Sequence, residues 1–139
     1  MEPMLDEFER LCRETSFQPP TGEIAANVHG RLASAEMATP DYWRQQIRGT
    51  VRFADCLSAL DARGVDVYLE IGPKPILTPA GRQTLPDRGQ LWLASLRPGK
   101  DDWSQMLECV AELFVRGAPL NWAGFYKDQP RRRAVLPNY

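Results

Sequence analysis

In the stretch Val65-Asp66-Val67-Tyr68-Leu69-Glu70-Ile71, aliphatic residues at odd positions alternate with polar or amphipathic ones at even positions. That period of two predicts a strand with one face on a core, stopped by the turn Gly72-Pro73. Just upstream, Phe53, Ala54, Leu57 and Leu60 fall on one helical face, and Gly64 stands where a helix C-cap belongs. Helix, glycine, β-branched strand and Gly-Pro turn make one half-unit of a layered α/β domain. The rest of the chain is expected to pack around that unit or trail away from it.

Residues 3–16 predict a helix with Met4, Leu5, Phe8, Leu11 and Cys12 on one face and its acidic residues in the first turns, where the helix dipole favours them. After the break Pro19-Pro20-Thr21-Gly22, Ile24–Val28 predicts a short strand of small residues, which implies another element lying close over it. Residues 30–38 are expected as loop. Thr39-Pro40 supplies an N-cap hydroxyl and a first-turn proline for a helix over 41–48, with Trp43 and Ile47 on one side and Gly49 as its end. Ile76, Leu77 and Leu85 among prolines predict a short irregular helix, and Leu91–Leu96 a second strand. Asp101-Asp102 opens the most periodic helix, with Trp103, Met106, Leu107, Val110, Leu113 and Phe114 apolar and Gly117 as its end. Beyond Ala118 periodicity fades. Trp122, Phe125 and Tyr126, the run Arg131–Arg133 and the extended 134–139 read as a strap across a neighbouring surface.

The chain has 139 residues, enough for one domain burying roughly 68–70% of its unfolded surface. Its net charge of −1 gives no electrostatic case for nucleic acid or an anionic membrane. No apolar run approaches a membrane span, and Met1–Arg10 is acidic and amphipathic, unlike a signal peptide, so a cytoplasmic location is expected. Cys12, Cys56 and Cys109 are far apart and odd in number, and each adjoins a core leucine or valine. They are expected as small buried hydrophobes rather than disulfides or metal ligands.

Catalytic equipment is sparse. Ser16, Ser34, Ser58, Ser95 and Ser104 all lack a G-x-S-x-G elbow. His29 is the single histidine and reads as a turn residue near the surface, although cysteine or carboxylate chemistry stays formally open. The glycines form no phosphate-cradling loop.

The ordered string of segments is distinctive. Pro3-Met4-Leu5 with Phe8, Asn27-Val28-x-Gly30, Pro40-x-Tyr42-Trp43-x-x-Gln46-x-Arg48, Val51-Arg52-Phe53, Leu69-Glu70-Ile71-Gly72-Pro73, Ser95-Leu96-Arg97 and Arg132-Arg133-x-x-Leu136-Pro137-x-Tyr139 follow one another. Together they resemble the C-terminal part of the acyltransferase domain of modular type I polyketide synthases, running into the linker after it. The resemblance implies an α/β fold: the C-terminal portion of an α/β-hydrolase-like acyltransferase core (1–96), then a C-terminal helix and extended linker (97–139). It also implies a Ser–His enzyme that carries a malonyl or substituted malonyl unit from coenzyme A to the phosphopantetheine arm of an acyl carrier protein. The family's serine elbow, its histidine, and the residues that report extender choice would precede Met1. No cofactor is expected within this chain.

By the same resemblance, Gln46 lends its backbone carbonyl to the catalytic histidine's ring N–H. A carbonyl at a helix C-terminus lacks an intrahelical donor and suits that role. An exposed glutamine on a polar face remains the alternative. Thr50 stands where the family usually has proline, Ala26 where it has serine, and His29 where threonine is common. Tyr139 falls where relatives continue with Pro-Phe, so a boundary through a linker is expected.

The expected partners are the upstream half of the acyltransferase domain, a ketosynthase and the acyl carrier protein. A rival is a non-catalytic docking module that meets a ketosynthase-linked partner through 97–139. An unrelated small α/β protein would have covered sheet edges, whereas the acyltransferase reading predicts a bare edge and an exposed apolar face.

Overall fold

The computed structural model describes residues 2–128 and 130. The parallel pair that organises the chain is β3 (Val67–Glu70) beside β4 (Leu91–Ala94), in register Val67↔Leu91 to Glu70↔Ala94. Helix α3 (Phe53–Asp61) delivers the chain into β3, and α4 (Leu77–Thr84) makes the crossover to β4. Gly64 adopts φ +79 between α3 and β3, with Val65 N–H returning to the Leu60 carbonyl at 3.2 Å. The αβ unit expected from the sequence is therefore present, and the fold class is α/β.

The expected central strand is longer than the observed one, and its facing is different. Ile71 lies beyond β3 and is 85% exposed, although the alternation places it inward. Tyr68, nominally on the outer face, stacks on Trp92 with ring centroids 4.2 Å apart and planes 12° apart. The reason is that a strand in a parallel sheet carries packing on both faces, so alternation does not separate core from solvent. Helix α4 covers the Tyr68–Trp92 face, with Trp92 against Gly81.

Upstream, α1 (Glu2–Glu14) buries Leu5 and Cys12 but leaves Met4 and Leu11 exposed, so the predicted face is only half used. The predicted strand 24–28 is corrected to a two-residue strand, β1 (Ala25–Ala26). It pairs antiparallel with β2 (Arg31–Leu32), inside the span expected as loop. This hairpin is separate from the β3–β4 pair. Its small residues do mark a close approach, with Ala26 buried and α3 packed on β1. Gly30, at φ +64, lies so near α3 that a Cβ there would stand 2.4 Å from the Asp55 Cβ. A 3₁₀ turn (Ala35–Ala38) leads to α2 (Pro40–Arg48), which packs on α1. Arg44 pairs with Asp6 and Glu9 across that contact, and Trp43 stacks on Phe17 at 6.0 Å.

Helix α5 (Asp102–Val115) is capped as expected, Ser104 N–H donating to Asp101 Oδ1 at 2.9 Å. Its apolar stripe is not the buried face. Trp103, Met106, Leu107 and Phe114 are exposed, while Gln105 and Cys109 are buried. A short helix, α6 (Trp122–Phe125), follows where no element was expected, capped by Asn121. Trp122 and Phe125 join Trp103 and Phe114 in a line of ring contacts. The Arg131–Arg133 run and the extension to Tyr139 lie outside the described residues.

Candidate functional site

Gln46 occupies the last turn of α2. Thr39 starts that helix, accepting the Tyr42 N–H on Oγ1 at 3.3 Å while donating its hydroxyl to the Glu36 carbonyl at 2.7 Å. Gly49 ends it, donating its N–H to the Gln45 carbonyl at 2.6 Å and turning to an extended ψ of 156°. The chain leaves the helix before Thr50 can donate to Gln46, so among the described residues the Gln46 carbonyl receives no backbone N–H. The side chain is not on an exposed polar face. Gln46 is half-buried, and its Oε1 is buried without a hydrogen-bond partner. Gln46 thus presents a helix-end carbonyl without an intrahelical donor and a buried side-chain oxygen without a partner.

His29 lies in the β1–β2 turn, half-buried, with its ring 6.1 Å from that of Tyr42. Burial raises the Tyr42 phenol above its ordinary value, with Cys56 and Glu36 adding to the shift. Cys56 is also pushed up by burial and by Asp55, and its Sγ meets Asn27 Oδ1 at 3.6 Å. All three cysteines are buried and unbridged, the state expected of small core hydrophobes. A buried thiol with a raised pKa is a poor nucleophile.

Three of the five serines make structural hydrogen bonds. Ser95 Oγ accepts the Gly72 N–H at 3.1 Å, Ser58 donates to the Ala54 carbonyl at 3.0 Å, and Ser104 donates to Asp101 at 2.8 Å. Among the described residues no group of three His, Cys, Asp or Glu side chains could hold a metal. No described helix is long and apolar enough to cross a membrane.

The structure also brings together the apolar faces that the sequence placed on the helix and on the strand. Phe53, Leu57 and Leu60 of α3 face Val65, Val67 and Leu69 across an open groove of about 270 Å³. Ile71, Ile76 and Leu77 extend the exposed apolar surface beyond β3. At the end of β3, the Glu70 carboxylate accepts the N–H groups of Ile76, Leu77 and Thr78 at 2.8–3.0 Å, capping α4. The desolvation that would raise the pKa of Glu70 is outweighed by those N–H groups, and the carboxyl is held below its ordinary value. The one available signal was a carboxylate just before a Gly-Pro turn that feeds a helix.

No family model matches the chain. Its full length is 35% identical to polyketide synthase GfsA of Streptomyces halstedii, of which it spans 2%. Over 98% of its length it is 33% identical to the PKS-NRPS hybrid synthetase acdB of Aspergillus candidus, spanning 6% of that protein. The acyltransferase domain from the second module of the salinomycin polyketide synthase superposes on 99% of the chain. The TM-score is 0.88 at 34% identity, and 32% of that domain structure is covered. The acyltransferase domain of SpnD matches 84% of the chain with a TM-score of 0.78 at 31% identity. An unrelated small α/β protein would share neither the end-to-end sequence match nor the superposition. The chain belongs to the acyltransferase domains of modular polyketide synthases, as a C-terminal part of such a domain.

Proposed function

We propose that the chain contributes one wall of a transacylase. That enzyme takes a malonyl-type unit from coenzyme A onto a serine and passes it to acyl carrier protein, with serine and histidine supplied by the remainder of the domain. The observation that carries this reading is Gln46, whose carbonyl stands undonated at the end of α2 inside a fold that superposes on an acyltransferase domain. That carbonyl would accept the histidine's ring N–H and so fix the tautomer that takes the serine proton, a positioning role. One structural neighbour is a complex with a substituted malonyl group, which supports a malonyl-type extender. Residues 1–96 act as core and 97–139 as the helix and strap after it. The working partners are the rest of the domain, a ketosynthase and the acyl carrier protein, all in the cytoplasm.

By itself the chain is inactive, since Ser58 and Ser95 are tied to backbone groups, Ser104 is tied to the Asp101 carboxylate, and the single histidine, His29, lies beside Tyr42. Incubation with radiolabelled malonyl-CoA tests this. No covalent label on the isolated chain is expected, and a labelled acyl-protein would overturn the reading.

The aromatic line from Trp103 to Tyr126 favours a second role alongside the first, in which the α5–α6 surface docks a ketosynthase-linked partner. Capture of such a partner by this chain, lost on Trp103→Ala, would support it.

A further inference from the structure

Most arginines among the described residues pair with a carboxylate, as Arg88 does with Asp61 at 3.0 Å. Arg82 and Arg97 do not. Among the described residues the Arg82 guanidinium donates only to the Trp92 carbonyl, at 3.3 Å, and the exposed Arg97 guanidinium has no partner. A guanidinium carries five N–H donors, so most of the donor capacity of these two is unused.

The two side chains line one cleft of about 190 Å³ with Pro75, Thr78, Pro79 and Trp92. Its walls come largely from chain leaving the carboxyl ends of the parallel strands: Pro75 to Arg82 follow β3, and Arg97 follows β4. Thr78 and Arg82, four residues apart on α4, share one helical face. Open parallel sheets bind ligands beyond the carboxyl ends of their strands.

The cleft is set before any ligand arrives. Trp92 is pinned between the Tyr68 ring and Gly81, Thr78 is buried, and the rings of Pro75 and Pro79 fix their own φ. Walls of that kind cost little ordering on binding. No carboxylate lines the cleft. Glu70, which accepts the Thr78 N–H, is also taken up by Ile76 and Leu77. Asp87 borders a separate hollow with Arg82 and accepts the Gly89 N–H at 3.0 Å.

We propose that this cleft binds the phosphoryl group of a small phosphate monoester. Arg82 and Arg97 take its terminal oxygens, and Trp92 with the two prolines forms an apolar wall for the carbon arm. Guanidinium forks match phosphate oxygens, and two of them together favour a dianion over a single carboxylate. The cleft is smaller than the roughly 300–1,000 Å³ of pockets that enclose drug-sized ligands, so it holds a head group and leaves the rest outside. The assignment is independent of the acyltransferase reading and stands or falls apart from it.

The test titrates the full chain with inorganic phosphate, glycerol 3-phosphate and acetate at constant ionic strength. NMR follows the Trp92 indole N–H and the Arg82 and Arg97 Nε–H signals. Both phosphates are expected to saturate with a Kd of about 1 mM, and acetate to bind about tenfold more weakly or worse. Arg97→Gln should weaken phosphate binding by about tenfold with circular dichroism unchanged. Arg82→Lys, which keeps the charge and loses the fork, should weaken it several-fold. Arg88→Gln, whose arginine already holds Asp61, should leave it unaltered. Absence of saturable binding overturns the proposal. Acetate binding as tightly as phosphate, or equal weakening by Arg88→Gln, reduces the effect to general charge and also overturns it. Phosphate binding that rejects glycerol 3-phosphate by about tenfold makes the free ion the ligand, and overturns the ester assignment.

Discussion

Trp92 lies across Gly81 so closely that a Cβ built on Gly81 would stand 2.3 Å from the indole Cζ3. The ring cannot swing aside freely, because its other partner is the Tyr68 ring stacked 4.2 Å away. Helix α4 is thereby seated on the sheet through one glycine. Ordinarily Gly to Ala inside a helix is worth about 1 kcal/mol of added stability. Here the added methyl overpacks a stacked pair, and Gly81→Ala is expected to cost about 1–3 kcal/mol. A lower urea midpoint at unchanged m-value would show it, and a raised midpoint would mean the indole moves without penalty.

Glu70 makes the same α4 seat sensitive to acid. Its folded pKa is below the ordinary 4.5, because the N–H donors of Leu77, Ile76 and Thr78 outweigh the desolvation that would raise it. A depressed carboxylate contributes stability that is full above its unfolded value and is lost as pH falls through the folded one. Stability should therefore decline below about pH 4.5. Glu70→Gln should flatten that decline while costing about 1 kcal/mol at neutral pH. Urea titrations at several pH values check both, and an unchanged acid slope in Glu70→Gln would contradict the assignment.

Asp101 is a simpler case. Its carboxylate takes both the N–H and the hydroxyl of Ser104, which hold its pKa below the ordinary value. Asp101→Ala should cost about 1 kcal/mol, in line with the loss of an N-cap, and Asp101→Asn should recover most of it. Thermal unfolding of the pair is the measurement, with equal midpoints for the two variants as the contrary result.

Local chemistry was legible from sequence where it is local in the chain. Thr39-Pro40 starts α2 and Gly49 stops it, Gly64 separates α3 from β3, and Asp101 caps α5, because each signal lies within a few residues of what it controls. What failed was non-local. The period of α5 marks an apolar face but not what covers it, so Trp103 and Phe114 are exposed while Gln105 and Cys109 meet the β4 edge. Small residues at 24–28 announced a close neighbour, and α3 packs on β1 with Ala26 buried, yet they could not say hairpin rather than sheet strand. Glu70 reaches α4 across the Gly72-Pro73 turn, and alternation along β3 carries no trace of that reach. The undonated Gln46 carbonyl was foreseeable from the family pattern together with the helix end, but its buried, unpartnered Oε1 was not.

The central claim is that this chain completes a reaction chamber whose serine and histidine lie in the remainder of the domain. Malonyl loading with that remainder, measured with and without this chain, tests it most directly. The account predicts that covalent malonyl label appears only when both are present, and on the remainder's serine. Label on the remainder at the same rate without this chain, or label carried by this chain itself, would contradict it.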